Sequence, residues 1–215
     1  MARYTITVSK KELDDDYLFL EFTKPKGLEF EDGQYGVFLH VNKDVEGRKV
    51  RAFSFASSNK EDHLKIATRH TKSSFKMRMA ELHIGDKMTV DGPMGNFGLE
   101  PRKARVFIAG GIGITPIRSM LYGLESLNDT TLIYSEAREE YPYLEDLEAL
   151  NGLNLQLASG RPRTSYLIDQ ATRIHENKAI YYICGSPSFV SGISDQLKQL
   201  GITQNNIRFD RFTGY

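Results

Sequence analysis

The sequence predicts two domains. An antiparallel β-barrel carrying one short helix spans residues 1–100, and an α/β domain with a parallel sheet spans residues 101–215. Three observations predict this. Short apolar or β-branched runs separated by turn residues fill the first half. Continuous apolar strands alternating with helix-period stripes fill the second. Between the halves, Leu99-Glu100-Pro101-Arg102-Lys103 is polar and broken by proline, as a boundary is.

In the first half, Tyr4, Ile6 and Val8 alternate with Thr5, Thr7 and Ser9, as a half-buried strand requires. Tyr17–Phe22, Tyr35–Val41, Ala52–Ala56, Leu64–Thr68 and Met88–Val90 follow as further strands. Lys24-Pro25-Lys26-Gly27, Glu31-Asp32-Gly33, Glu46-Gly47, Gly85-Asp86 and Asp91-Gly92-Pro93 supply the turns. Strands at this spacing predict a closed barrel. One helix interrupts them, with Phe75, Met79 and Leu82 on one stripe after the N-cap residue types Ser73-Ser74. In the second half, Val106–Ala109 reads as a strand buried on both faces. A helix follows with Ile117, Met120, Leu121, Leu124 and Leu127 on its stripe. Strand Thr131–Ser135, a helix with Leu144, Leu147 and Leu150, strand Leu153–Ala158 and a helix over Tyr166–Ile174 come next. Strand Ile180–Ile183, a helix with Phe189, Ile193, Leu197 and Leu200, and a last strand near Ile207–Phe212 complete the pattern.

Composition narrows the function. Lys+Arg and Asp+Glu are 28 each, so bulk positive charge does not hold a nucleic acid. A single cysteine, Cys184, excludes a disulfide framework, an all-cysteine zinc site and an iron–sulfur cluster held within this chain. The five histidines show no metal-ligand spacing, so no metal is expected. The N-terminal residues have no apolar signal core, and the longest apolar stretch is short and broken by glycines. No membrane span is expected, and the cytoplasm is the default location.

Four segments carry candidate chemistry. Gly110-Gly111-Ile112-Gly113-Ile114-Thr115-Pro116 follows a buried strand and opens a helix. Glycines there let a ligand approach the backbone, and the helix start offers N–H groups to a phosphate. The alternative is a tight turn with no ligand. Arg51-Ala52-Phe53-Ser54 lies on a strand, with Arg51 and Phe53 on the face opposite Ala52 and Ser54. Arg51 is either a phosphate clamp or an edge-strand arginine over ordinary core. Thr71-Lys72-Ser73-Ser74 combines hydroxyls, a cation and a helix start, and reads as an anion site or as a plain cap. Cys184-Gly185-Ser186-Pro187 ends a strand where ligands of α/β sheets gather, although its thiol equally suits a small buried hydrophobe.

In this order, these segments resemble the ferredoxin–NADP reductase superfamily over nearly the whole chain. Arg51-Ala52-Phe53-Ser54 matches its Arg-x-Tyr/Phe-Ser flavin motif, and Lys72-Ser73-Ser74-Phe75 its second flavin segment. Gly92-Pro93-Met94-Gly95-Asn96-Phe97 matches its Gly-Pro-x-Gly-x-Phe. Gly110–Pro116 matches its nicotinamide-nucleotide loop, and Cys184–Pro187 its late Cys-Gly-x-Pro. Two positions depart from the pattern: Phe53 lacks the usual tyrosine hydroxyl, and Thr71 stands where a glycine is frequent.

The resemblance implies an FAD-binding barrel over 1–100 and an NAD(P)-binding α/β domain over 101–215. It implies that Arg51, Ala52, Phe53, Ser54, Ala67, Thr68, Lys72, Ser73 and Ser74 bind FAD. It further implies that Gly111, Gly113, Thr115, Pro116, Gly185 and Pro187 bind the nicotinamide dinucleotide. Ser54, Cys184 and Tyr215 are the implied catalytic residues: Ser54 near flavin N5, Cys184 beside the nicotinamide and Tyr215 over the flavin. A frayed terminus is the alternative for Tyr215, and Asp210 is the nearest acid for a proton role. Ser159 and Arg161, with Arg163, follow the third strand of the second half, where relatives contact the 2′-phosphate of NADPH. Glu136, after the second strand, is placed to bind a ribose hydroxyl. The expected dinucleotide is NADPH, with NADH the alternative. The implied activity is transfer of a hydride from NAD(P)H to FAD, then of electrons to a separate acceptor such as ferredoxin, flavodoxin or an oxygenase component. A subunit of a larger electron-transfer complex and a non-enzymatic nucleotide-binding module are the other readings.

Overall fold

The alternating start of the chain becomes β1 (Ala2–Leu13), which continues past Ser9 because a bulge between Val8 and Lys10 shifts the register. The computed structural model describes residues 2–41, 44–101 and 104–212. It divides into two units, one holding the chain to Gly98 plus Arg118–Gly123, the other Leu99–Ile117 and the chain from Leu124 onward.

In the first unit, β2 (Tyr17–Thr23), β3 (Tyr35–His40), β4 (Val50–Ser54), β5 (His63–Arg69) and β6 (Lys87–Met94) join β1 in one antiparallel six-stranded sheet. Its order is β4-β3-β6-β1-β2-β5. Its inner face buries Ile6, Val8, Leu20, Phe22, Phe38, Ile66 and Val90. The helix α1 (Ser74–Ala80) adds Phe75 and Met79, with Leu82 just beyond its end, as their spacing predicts. The expected closure is partial. No ladder joins the end strands β4 and β5 among the described residues; the Ala56 N–H donates to the Lys65 carbonyl at 2.7 Å, just past the end of β4.

In the second unit, β7 (Arg105–Gly110), β8 (Thr130–Ser135), β9 (Leu153–Ala158), β10 (Ile180–Gly185) and β11 (Ile207–Arg211) form a parallel sheet of order β11-β10-β7-β8-β9. The helices are α2 (Ile114–Gly123), whose residues from Arg118 on count with the first unit, α3 (Leu144–Glu148), α4 (Gly160–His175) and α5 (Pro187–Gln199). Val106, Ile108, Tyr181 and Ile183 pack with α4 and α5 in one core. Phe107 and Tyr182 stack at 4.9 Å on the other face, so β7 and β10 are buried on both sides. Right-handed crossovers require this arrangement. Among the described residues no helix is long and apolar enough to cross a membrane.

Three helices differ from their apolar stripes. A 3₁₀ turn, Gly111–Gly113, separates β7 from α2. α2 stops at Gly123, whose carbonyl accepts from Lys60 Nζ at 2.6 Å, so Leu124 and Leu127 lie beyond it. α3 is five residues long and excludes Leu150. α4 begins at Gly160 rather than near Tyr166, because proline suits a first helical turn and Thr164 Oγ1 donates to the Gly160 carbonyl at 2.9 Å. Ser159-Gly160-Arg161-Pro162-Arg163 is therefore a helix start and not a loop.

Candidate functional site

Two clusters stand out, one in each unit. In the second unit the chain moves from β7 outward to β9, then crosses back to β10 on the other side of β7. The carboxyl ends of β7 and β10 thus flank the point where strand order reverses, the usual ligand crevice of open α/β sheets. The Gly110 turn leaves one strand there, and Cys184–Pro187 leaves the other. Register keeps the neighbouring ends level: Cys184 pairs with Ala109, Gly110 with Ser135, and Ser135 with Ala158. Glu136 and Ser159 therefore emerge along the same rim.

Backbone contact explains the glycines. A Cβ on Gly113 would sit 2.3 Å from the Cys184 carbonyl oxygen and 2.8 Å from Gly185 Cα. A Cβ on either Gly110 or Gly185 would meet the Phe189 ring at 2.9 Å. The two glycine segments pack on each other and on Phe189. Side chains expected at this rim are more enclosed. Thr115 is 1% exposed and its hydroxyl donates to the Ile112 carbonyl at 3.1 Å, so it braces the turn. Pro116 is buried in the first turn of α2. Cys184 is fully buried, and burial, reinforced by the Asp210 charge, pushes its thiol well up; it is a neutral thiol. Burial likewise raises the Asp210 carboxyl. Ser186 accepts from the Phe189 N–H as the cap of α5, and Pro187 is its first residue. Glu136 is 5% exposed, whereas Ser159, Arg161 and Arg163 are exposed.

In the first unit, Arg51 and Ser54 lie on the β4 edge and Ala67 and Thr68 on the β5 edge. Arg51 donates to the Arg48 and Val50 carbonyls and, at 3.5 Å, to Ser73 Oγ. The Ser54 residue is 7% exposed and its hydroxyl has no hydrogen-bond partner among the described residues. Ala67 and Thr68 are buried, Thr68 Oγ1 reaching the Arg69 carbonyl at 3.5 Å. Ala52 is exposed. Phe53, expected against a flavin, is 8% exposed, with its ring edge-on to Phe38 at 5.5 Å and tilted on Phe75 at 6.2 Å. Its position in the structure is that of a core residue, because β4 alternation turns it inward.

Neither serine caps α1. Ser73 occupies the cap position without a side-chain bond, and Ser74 Oγ donates to the Glu46 carbonyl. Lys72 is exposed, while Lys76 is 5% exposed, has no hydrogen-bond or ion-pair partner among the described residues, and lies within reach of the Arg51 and Arg69 charges. Sequence reasoning missed Lys76 and Arg69. The one available signal was that Lys76 sits three residues before Met79, on the flank of the apolar stripe. Tyr215 lies outside the described residues, as do Arg102 and Lys103. No group of three or more His, Cys, Asp or Glu among the described residues is placed to hold a metal.

An antiparallel half-barrel and a parallel five-stranded unit with its glycine turns at the switch point define the fold of ferredoxin–NADP+ reductase-like FAD/NAD-binding domains. The solved ferredoxin–NADP+ reductase from Plasmodium falciparum aligns with a TM-score of 0.80 and 20% identity, over 98% of this chain and 96% of that one. The flavohem-like FAD/NAD-binding domain of nitric oxide dioxygenase from Vibrio cholerae O1 biovar El Tor aligns with a TM-score of 0.76 and 19% identity, over 97% and 98%. Among curated proteins, one subunit of the Na(+)-translocating NADH-quinone reductase of Pasteurella multocida is 26% identical over 91% of this chain. The match takes in 56% of that protein, so the chain spans about half the length of this relative. No family model matches the chain.

Proposed function

We propose that this protein is a flavin-dependent NAD(P)H oxidoreductase, with FAD held by the first unit and the nicotinamide dinucleotide by the second. The observation that carries it is the presence, in one chain, of a cationic, hydroxyl-bearing strand edge in the first unit and a glycine-lined switch-point rim in the second. The residues fit the cofactor: Ser54, a nearly buried residue whose hydroxyl has no partner among the described residues, and the Arg51 guanidinium stand on one strand edge. When bound, FAD accepts a hydride and passes electrons on singly or in pairs. Arg51 neutralises the cofactor's diphosphate, with Ser73 holding the guanidinium in place. Ser54 would donate a hydrogen bond to the flavin ring. The Gly110–Gly113 and Gly185 backbone receives the dinucleotide, and the protein's main contribution is orientation.

Anaerobic titration with NADPH or NADH of protein reconstituted with FAD tests this. The flavin absorbance is expected to bleach; a protein that takes up no FAD defeats the proposal. Ser54→Ala is expected to keep the flavin and slow its reduction on the order of a hundredfold.

For the dinucleotide, exposed Arg161 and Arg163 at the start of the 16-residue α4 favour the 2′-phosphate of NADPH. Changing both arginines to Ala is expected to weaken NADPH at least tenfold and leave NADH unchanged, read by half-saturation of flavin reduction. NADH is the second reading, favoured by the buried acid Glu136 at the β8 end and by the name of the Pasteurella relative. The final acceptor is a separate redox protein such as ferredoxin or flavodoxin. The alternative, a subunit that delivers electrons within a larger complex, is favoured by the same relative.

A further inference from the structure

The two sheets end in four strands: β4 and β5 in the first unit, β11 and β9 in the second. An open edge invites pairing with another chain, and charge, proline or a bulge is the usual protection. β4 carries Arg51, β5 carries Lys65 and Arg69, and β11 carries Arg208, Asp210 and Arg211. β9 has no such protection. Leu153-Asn154-Leu155-Gln156-Leu157-Ala158 holds no charge and no proline, and its ladder with β8 runs without a register shift. The Ala158 carbonyl accepts from the Glu136 N–H at 3.1 Å and so faces β8. In a parallel ladder the N–H and C=O of one residue point the same way, and successive residues alternate. The backbone groups of Leu153, Leu155 and Leu157 therefore face outward. Apart from a long 3.4 Å bond from the Leu153 N–H to the Leu150 carbonyl, they have no partner among the described residues. The three leucine side chains share one face, where they line a groove with Leu147 and Leu150, and Leu157 is 36% exposed. On the other face, Gln156 donates to Asn154 Oδ1 at a poor 3.4 Å, and Gln156 Oε1 has no hydrogen-bond partner among the described residues.

We infer that β9 pairs antiparallel with β9 of a second copy of this chain, about a two-fold axis at Leu155, and joins the two parallel sheets into one. The strand itself sets the register. Leu155 stands opposite the partner's Leu155, Leu153 opposite the partner's Leu157, and Asn154 opposite the partner's Gln156. The outward backbone groups then meet at the leucine pairs and exchange both hydrogen bonds there. A slip of one residue sets leucine against amide and takes those groups out of line. The strand is neutral, so like meets like without the repulsion that facing charges bring. These properties select a second copy as the occupant: the same six residues supply leucine for leucine, and a fresh amide for one that its own chain satisfies poorly. An edge of this length covers less than the about 800 Å² per partner of a stable complex, so the dimer forms at high concentration and dissociates on dilution. Nothing in the pairing depends on a bound flavin.

Sedimentation velocity of the whole chain from about 1 μM to about 1 mM is expected to show a reversible shift from monomer to dimer. Leu155→Lys places two ammonium groups across the axis and is expected to weaken association at least tenfold. Leu157→Lys, at a more exposed position facing the partner's Leu153, is expected to do the same, so the result does not hinge on the fold tolerating one change. Phe209→Lys, on the exposed part of the charged β11 edge, is expected to leave association unchanged. Leu155→Cys tests the register, because facing residues of a hydrogen-bonded pair have Cα atoms about 5.5 Å apart, within disulfide range. Mild oxidation is expected to give a covalent dimer, whereas Ile174→Cys, exposed on α4, gives none; Cys184 is buried and stays out of the reaction. A chain that stays monomeric over the whole range overturns the inference. So does a dimer that survives both lysine variants in folded form, or a Leu155→Cys chain that cross-links no better than the Ile174→Cys control.

Discussion

Replacing Arg118 by Met is expected to destabilise the first unit by about 3–5 kcal/mol, a drop of roughly 10 °C in the melting transition. Arg118 is 1% exposed and donates to the Ala56 carbonyl at 2.8 Å and to Glu61 Oε2 at 3.0 Å, with its guanidinium 4.1 Å from the Tyr122 ring centroid. Removing it leaves a buried carbonyl without its donor and a half-buried carboxylate with Lys65 and the Ser58 N–H. The pair is worth less than its breakage suggests, because both charges were desolvated to make it. Changing Glu61 to Met as well is therefore expected to recover much of the loss. Acid provides an independent check. Burial, the largest single influence, would raise the Glu61 carboxyl, but Arg118, Ser58 and Lys65 together outweigh it and hold the group below its ordinary 4.5. A carboxylate with a depressed folded value stabilises above its unfolded value, and that stabilisation is lost as pH falls through the folded one. The melting curves of wild type and Arg118→Met are expected to draw together below about pH 4.5; a gap that stays constant into acid would show that Glu61 is not the partner that matters.

Gly113→Ala is expected to destabilise the second unit by about 1–3 kcal/mol and to weaken nucleotide binding at the same time. The new methyl would fall 2.3 Å from the Cys184 carbonyl oxygen and 2.6 Å from its carbon, and both belong to a central strand that cannot yield. The same change at Gly192 is expected to stabilise by roughly 0.5–1 kcal/mol, because Gly192 is inside α5 with nothing within 4 Å of its would-be Cβ. Chemical denaturation of the two variants side by side measures the contrast. Equal effects at both positions would remove the argument that backbone contact, and not helix propensity, selects Gly113.

Much of the fold is legible in the residue pattern. Short apolar or β-branched runs between turn residues located the strands of the half-barrel, and continuous apolar runs such as Val106–Ala109 located the doubly buried strands. Glycine and proline misled at α4, where they start a helix instead of preventing one. The stripe through Leu124 and Leu127 misled at α2, which Gly123 and Lys60 end sooner. Short motifs marked the candidate segments, but the contacts of their single side chains depend on distant residues. Thr115 bonds within its own turn, Phe53 fills the core and Ser73 receives Arg51.

By itself the sequence determined the order of elements and the glycines at two strand ends, because periodicity and backbone permissiveness are local properties of residue type. Only the tertiary structure decided that Gly113 lies against Cys184, that Arg118 meets Glu61 fifty-seven positions away, and that Lys76 shares its surroundings with Arg51 and Arg69. Burial and charge proximity depend on which distant segments converge, and no local pattern encodes that.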